Sequence, residues 1–161
     1  MSTDCIEKQI LLRATRSRVW RALIDPDELA TWFGMRFEAP FVPGARLAGK
    51  IVGTTMDAEI AAAQRQHAHV KIDILVERVE PEHVLSFRWH PAAVERGVDY
   101  SQEARTLVEF RLEEADGGVM LTVTESGFDQ LSTTRREAAR QSNDQGWAIV
   151  VSLLQRYVAG K

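Results

Sequence analysis

The C-terminal stretch, residues 132–159, has the periodicity of one long amphipathic helix and constrains the fold more than any other part of the chain. Thr134 followed by Glu137 matches a capping box, and Gly160 supplies a helix stop. At 1.5 Å rise per residue the helix would be roughly 40 Å long, so the upstream chain must supply a sheet for it to cross. One face of this helix collects Asn143, Gly146, Trp147, Val150, Leu153, Leu154, Tyr157 and Val158.

Gly146 interrupts this helix, and glycine inside a helix costs about 1 kcal/mol relative to alanine. Two interpretations explain it. The favoured one is a tight helix-on-sheet contact beside Trp147, and the other is room left for a bound ligand.

Composition excludes several classes of protein. The chain has 161 residues, 45% of them hydrophobic, which suits a single domain over residues 1–161. A net charge of −3 gives no basic field to attract nucleic acid or an anionic membrane surface. Cys5 is the only cysteine, which excludes an internal disulfide and multi-cysteine metal sites. Without a signal-peptide pattern or a bilayer-spanning apolar run, we expect a cytoplasmic protein with no membrane insertion.

The N-terminal part predicts a strand followed by two short helices. Thr15 has the character of a helix cap, and Asp25 with Pro26 starts a second helix that Gly34 ends. The strand before them is predicted by Ile6, Ile10 and Leu12, which alternate with polar residues.

Period-two alternation predicts the remaining strands, and Pro81 and Gly117 mark hairpin turns between them. Residues 54–66 break the pattern and predict a partly helical insert, whereas residues 90–103 predict a long connection. The expected fold is α+β, a curved antiparallel β-sheet wrapped around a long C-terminal α-helix, with two short helices after the first strand. The alternating apolar positions are Leu47, Gly49 and Ile51; Val70, Ile72, Ile74 and Val76; Leu85, Phe87 and Trp89; Val108, Phe110 and Leu112; and Val119, Leu121 and Val123.

Glu125 is the most informative candidate for chemistry, because it continues the inward register of Val119, Leu121 and Val123. A buried carboxylate must pair, accept hydrogen bonds or become protonated, and each of these states suits binding or catalysis. The alternative is that Gly127 ends the strand and leaves Glu125 capping a turn at the solvent edge.

A ligand cavity between sheet and helix is a further hypothesis, because an ordinary core avoids polar groups such as Asn143, Tyr100 and Glu125. Core packing alone would require the same aromatic residues. His67 and His69 are predicted to share one strand face, but no carboxylate or cysteine accompanies them, so we expect no metal and no cofactor. The candidate ligand-binding residues are Trp32, Phe33, Trp89, His90, Tyr100, Glu125, Asn143 and Trp147.

Four segments carry a family resemblance: VWRALIDPDELATWF, PGARLAGKI, TVTESGF and NDQGW, which begin at Val19, Pro43, Thr122 and Asn143. They resemble the SRPBCC superfamily, also called START-like or Bet v-like, and within it the branch similar to the C-terminal domain of the activator of the heat-shock protein 90 ATPase. The resemblance implies the helix-grip fold with a cavity between sheet and helix. Members bind hydrophobic ligands, act as cyclases or hydrolases, or contact a chaperone, so it implies fold more narrowly than function.

Three functional hypotheses follow. The first is a binding module for a small, largely hydrophobic molecule beside Asn143, Gly146 and Trp147. The second is a cyclase- or hydrolase-like enzyme that uses Glu125 as acid or base, oriented with help from His90 or Tyr100. The third is a stress-response or chaperone-associated interaction protein, which predicts an exposed apolar patch or a homodimer surface.

The two long connections, residues 54–66 and 90–103, are predicted to act as lids over the cavity mouth, because long ordered loops in compact domains are commonly functional. The alternative is a surface loop folded on itself, with Tyr100 packed as its anchor.

Overall fold

The computed structural model describes residues 4–159. No helix within that range is long and apolar enough to cross a membrane. The strands are β1 (Cys5–Leu12), β2 (Met35–Phe37), β3 (Arg46–Ile51), β4 (Lys71–Glu80), β5 (Val84–Trp89), β6 (Thr106–Ala115) and β7 (Gly118–Ser126). The helices are α1 (Arg16–Ile24), α2 (Pro26–Phe33), α3 (Ala58–Arg65) and α4 (Thr133–Ala159), with a short 3-10 helix at Phe128–Gln130.

The strands form one antiparallel sheet in the order β1-β7-β6-β5-β4-β3-β2. The predicted hairpins β4–β5 and β6–β7 are confirmed, as is the α+β arrangement of a curved sheet with a long C-terminal helix. Strand β2 was not predicted, since three residues are too few for alternation to stand out. The helix contributes Ala139, Trp147, Val150, Val151, Leu153, Leu154 and Val158 to the buried interior.

The two short helices begin where their caps were predicted. The Thr15 hydroxyl accepts from the Arg18 amide, and the Asp25 carboxylate accepts from the amides of Asp27 and Glu28. Gly34 ends α2 with φ +82°, a left-handed conformation that glycine adopts without strain. Local capping chemistry therefore fixes where this helical corner begins and ends.

The start of α4 differs from the prediction. The helix begins at Thr133, and the carbonyl of Ser132 accepts from the amides of Arg135 and Arg136. The predicted capping box is wrong, because Glu137 instead accepts from Arg140 and Gln141 one turn further along. The predicted stop at Gly160 lies outside the described residues.

The insert at residues 54–66 is partly helical, as predicted, and contains α3. Asp57 caps this helix by accepting from the Ile60 amide. Gln64 then attaches the helix to its surroundings, since its Oε1 accepts from the Thr54 amide at 2.8 Å and its Nε2 donates to the Phe33 carbonyl at 3.1 Å. The insert is thus tied to the end of α2, beside the space under α4.

Candidate functional site

The Glu125 carboxylate lies between the sheet and α4 and is completely buried. Its Oε1 accepts from Trp147 Nε1 at 2.8 Å and from Asn143 Nδ2 at 3.0 Å. Its Oε2 accepts from Trp89 Nε1 at 2.9 Å, Thr106 Oγ1 at 2.6 Å and Asn143 Nδ2 at 3.1 Å. We call these five side chains the carboxylate cluster.

The carboxylate cluster joins β5, β6, β7 and α4 through one side chain. Glu125 faces inward because it pairs with Ile6 on β1 and with Val108 on β6, both of which are buried. The alternative interpretation, a carboxylate at the solvent edge of a turn, is therefore wrong. Four neutral donors hold the group, so its buried position is compensated by hydrogen bonds rather than by a paired cation.

A cavity of about 730 Å³ lies beside this cluster, between the sheet and α4. The rings of Phe33, Trp89 and Trp147 line it and stack on one another, with centroid separations of 5.7 Å for Phe33–Trp147 and 5.8 Å for Trp89–Trp147. Ile72 and Val150 extend this apolar wall. Much of the cavity is therefore suited to an apolar, planar group.

Six of the eight predicted ligand-binding residues line the cavity. Two do not. Trp32 is 1% exposed, stacks behind Phe33 and donates its indole N–H to the Ala22 carbonyl at 2.9 Å. Glu125 lies behind the indoles that line the wall. The six that line the cavity are Phe33, Trp89, His90, Tyr100, Asn143 and Trp147.

Gly146 lines the cavity, and a methyl group added at its Cα would meet no atom within 4 Å. The tight helix-on-sheet contact that we favoured from the sequence is therefore wrong. The missing side chain leaves open space next to Trp147, which is the other of the two interpretations.

The histidines are placed differently from the prediction. His67 and His69 lie in a turn after α3 rather than on a strand, and their ring centroids are 6.4 Å apart. Among residues 4–159 no group of three or more histidine, cysteine or acidic side chains is arranged to hold a metal ion. Both residues line the cavity together with His90, and His69 bonds through Nε2 to the Val94 carbonyl at 2.8 Å.

A cluster of charged side chains that the sequence did not predict lies at one end of the cavity. At this end the strands β4 and β5 separate. These strands pair only from Leu75 opposite Arg88 onward, so they diverge toward Lys71 and Trp89. Arg105 bridges the opening, donating through Nη1 to the main-chain oxygens of Asp73 and Arg88. Its Nη2 donates to the Asp73 carboxylate at 2.8 Å.

Arg46 completes this group with a bidentate pair to the same carboxylate, at 2.9 and 2.7 Å. We call Arg46 and Arg105 the arginine pair. The hydrogen bond from Arg46 lowers the pKa of Asp73, and with Arg105 it outweighs the opposing effect of burial. The pKa of the neighbouring His90 is lowered by burial and by the charge of Arg105. Period-two alternation is consistent with Arg46 and Asp73 on the outward face of the sheet. The register between β3 and β4 could not be predicted, because the insert at residues 54–66 separates these two strands.

In the structure the long connection predicted at residues 90–103 extends to residue 105, just before β6 begins. It lines one side of the cavity and is held to the start of α4. Arg135 donates to both carboxylate oxygens of Glu103, at 2.9 and 2.6 Å, and to the Pro91 carbonyl at 2.6 Å. Its guanidinium also lies 4.9 Å from the centre of the Tyr100 ring. Tyr100 therefore both lines the cavity and anchors the connection.

A curved antiparallel sheet, a long C-terminal helix and a cavity between them define the helix-grip class of the SRPBCC superfamily. Residues 13–159 match the family described as Activator of Hsp90 ATPase homolog 1-like protein. The chain belongs to this family. No functionally curated protein matches it.

Solved structures support the same fold. A protein encoded by gene BPP1335 of Bordetella parapertussis is 27% identical with a TM-score of 0.70, covering 100% of this chain and 78% of that one. DynU16, a protein in the dynemicin biosynthetic locus, is 24% identical with a TM-score of 0.70, and the 97% of this chain that aligns spans 47% of DynU16. The Aha1 dimer from Colwellia psychrerythraea is 15% identical with a TM-score of 0.65, covering 96% of this chain and 95% of that one.

Proposed function

We propose that this protein binds a small, largely hydrophobic molecule with a planar body in the cavity between the sheet and α4. The observation that carries the proposal is the unfilled space beside Gly146, where a residue with a side chain would have favoured the helix. The whole cavity has a volume of about 730 Å³, which falls within the range of roughly 300–1,000 Å³ typical of small-molecule sites.

The carboxylate cluster supports an apolar ligand surface. Trp89 and Trp147 each have one polar atom, the indole nitrogen, and both nitrogens donate to Glu125. What these two residues present to the cavity is therefore carbon. A ligand that stacks on them gains apolar contact without stripping water from a polar indole group.

Asn143 supplies one polar contact for the ligand. Its Nδ2 must face Glu125, because a carboxylate accepts and does not donate. Its Oδ1 makes no hydrogen bond within residues 4–159 and can accept one from a ligand hydroxyl or amide.

Glu125 fits a positioning role better than an acid or base acting on the ligand. Both of its oxygens are occupied by donors, and the side chain is shielded from the cavity by Trp89, Asn143 and Trp147. A proton transfer to the ligand would require this cluster to open. We therefore assign to Glu125 the orientation of the two indoles and the amide.

A pair of phenylalanine variants tests the proposal. Gly146→Phe places a ring in the cavity, whereas Ala148→Phe adds the same ring at an exposed position of α4. With 2-naphthamide as probe and isothermal titration calorimetry as readout, Gly146→Phe should weaken binding at least about tenfold. Ala148→Phe should bind as the wild type does.

Two results would overturn the proposal. One is the absence of 2-naphthamide binding to the wild type at concentrations up to roughly 1 mM, which corresponds to a binding free energy of about −4 kcal/mol. The other is equal binding by the wild type and Gly146→Phe, provided that both have the same circular dichroism spectrum.

The interaction-protein hypothesis has less support. The exposed large apolar side chains of the described residues are Val42, Val98 and Ile149, which lie on three different segments. Single exposed apolar residues are normal on protein surfaces.

A further inference from the structure

The cavity lining has a net positive charge, whereas the whole chain has a net negative charge. The chain has a net charge of −3, but the lining contains four cationic side chains and three anionic ones, together with three histidines. Within this lining, Arg46 and Arg105 share the single carboxylate of Asp73. One guanidinium charge therefore remains uncompensated at the opening between β4 and β5.

The arginine pair has donors to spare. A guanidinium has five N–H groups, and Arg105 directs three hydrogen bonds at protein acceptors. His90 lies next to it, and its Nδ1 is buried with no hydrogen-bond partner among residues 4–159. A ligand group that binds the spare guanidinium donors would therefore have a second hydrogen-bonding partner in His90.

The arginine pair and the aromatic wall are parts of one cavity lining. Trp89 pairs with Thr106 in the sheet, so Arg105 and His90 each lie one residue beyond that pair. One residue along a strand is about 3.4 Å. The Trp89 indole, His90 and Arg105 all line the same cavity, so a ligand that stacks on Trp89 shares that space with the arginine pair.

Resting on the proposed function, we propose that the ligand carries a carboxylate in addition to its planar apolar body, and that the arginine pair binds this carboxylate at the β4–β5 opening. Arg105 makes the main contact, because its side chain is only 16% exposed and water competes less there than at Arg46, which is 70% exposed. Asp73 limits the attraction by neutralising part of the arginine charge.

The test compares 2-naphthoate with 2-naphthamide, which has nearly the same shape and no charge. Calorimetric titrations at pH 7 should show the wild type binding 2-naphthoate about tenfold more tightly than 2-naphthamide. Arg105→Met should abolish this preference, because it should weaken binding of the charged 2-naphthoate far more than binding of the neutral 2-naphthamide. Arg88→Met is the matched control, because Arg88 is a half-exposed strand arginine that pairs with Glu77 and does not line the cavity.

Asp73→Asn provides a second variant with the opposite sign. It keeps the main-chain oxygen to which Arg105 donates and removes the competing negative charge. Asp73→Asn should therefore bind 2-naphthoate roughly fivefold more tightly than the wild type does. A damaged fold would not produce a gain, so this variant remains informative if Arg105→Met is unstable.

The outcomes separate the two proposals. Equal affinity of the wild type for 2-naphthoate and 2-naphthamide, or unchanged 2-naphthoate binding in both Arg105→Met and Asp73→Asn, overturns the carboxylate assignment and leaves the cavity proposal standing. Failure of both compounds to bind the wild type overturns the cavity proposal itself. If Arg88→Met lost the preference for 2-naphthoate over 2-naphthamide as fully as Arg105→Met, the total charge of the protein would explain that preference. This result would also overturn the assignment to the arginine pair.

Discussion

Trp147, midway along α4, donates its indole N–H to Glu125 of β7 across 2.8 Å, and both side chains are buried. The contact fixes the helix to the sheet at the same point where the cavity begins. Because Trp89 makes the matching contact from β5, one carboxylate holds the two indoles that line the cavity. Stability and site geometry are therefore linked through Glu125.

Glu125→Gln is expected to destabilise the fold. Each carboxylate oxygen accepts one indole N–H, so an amide in either orientation places an NH₂ group against an indole N–H. A buried donor left unsatisfied costs about 1–3 kcal/mol, and urea unfolding should show a loss of that size in the free energy of unfolding. Glu113→Gln, at an exposed position of β6, should change it by less than about 0.5 kcal/mol. Equal stability of the two variants would contradict the role given to the cluster.

Gly146→Ala should stabilise the protein. The added methyl group meets no atom within 4 Å, and alanine is favoured over glycine in a helix by about 0.5–1 kcal/mol. Gly118→Ala is the contrasting variant, since its Cβ would lie 2.0 Å from the Leu12 carbonyl oxygen and should destabilise strongly. Thermal unfolding of both variants provides the measurement. A loss of stability in Gly146→Ala would mean that the helix packs there after all.

Glu28 gives a pH-dependent contribution to stability. It joins α2 to α1 and α4 by accepting from Arg18 at 2.6 Å, Arg21 at 2.9 Å and Tyr157 at 3.0 Å. Burial opposes ionisation, but the hydrogen bonds from Arg18 and Tyr157 outweigh it and lower the pKa of Glu28 below its usual 4.5. The ionised group therefore stabilises the fold above that value, and the contribution disappears as the pH falls through the lowered pKa.

Glu28→Gln is thus expected to cost about 1–2 kcal/mol near pH 7 and progressively less below roughly pH 4.5. Urea unfolding of the wild type and the variant between about pH 7 and pH 3 measures the difference. A gap that stayed constant or widened toward low pH would show that the stabilisation does not come from the ionised carboxylate.

The sequence contained enough information for most of the fold, and for the inward position of Glu125, because caps and alternation are local signals. The register between β3 and β4 could not be predicted from the sequence, because an insert separates these strands. The ion pair between Arg46 and Asp73 was therefore not predicted. Thr106 could have been found, since it shares the register of Val108 and Phe110. The space beside Gly146 depends on how α4 crosses the sheet, which periodicity does not determine.

The lid assignment predicts a specific effect of Arg135. Arg135→Met removes the bonds to Glu103 and Pro91, so hydrogen exchange in residues 90–103 should accelerate. Arg140→Met, which loses only a pair with Glu137 on the same helix, should not alter that segment. Addition of 2-naphthamide should slow exchange there in the wild type. Unchanged exchange on confirmed binding would exclude a lid role for residues 90–103.

The most direct test of the cavity as a binding site is the response of the four tryptophan indole N–H signals in a ¹⁵N–¹H correlation spectrum. Trp89 and Trp147 line the cavity, whereas Trp20 on α1 is buried elsewhere and serves as an internal reference. Titration with 2-naphthamide should shift the signals of Trp89 and Trp147, together with the Gly146 amide, and leave Trp20 in place. Saturable binding that leaves Trp89, Trp147 and Gly146 unshifted would contradict the account.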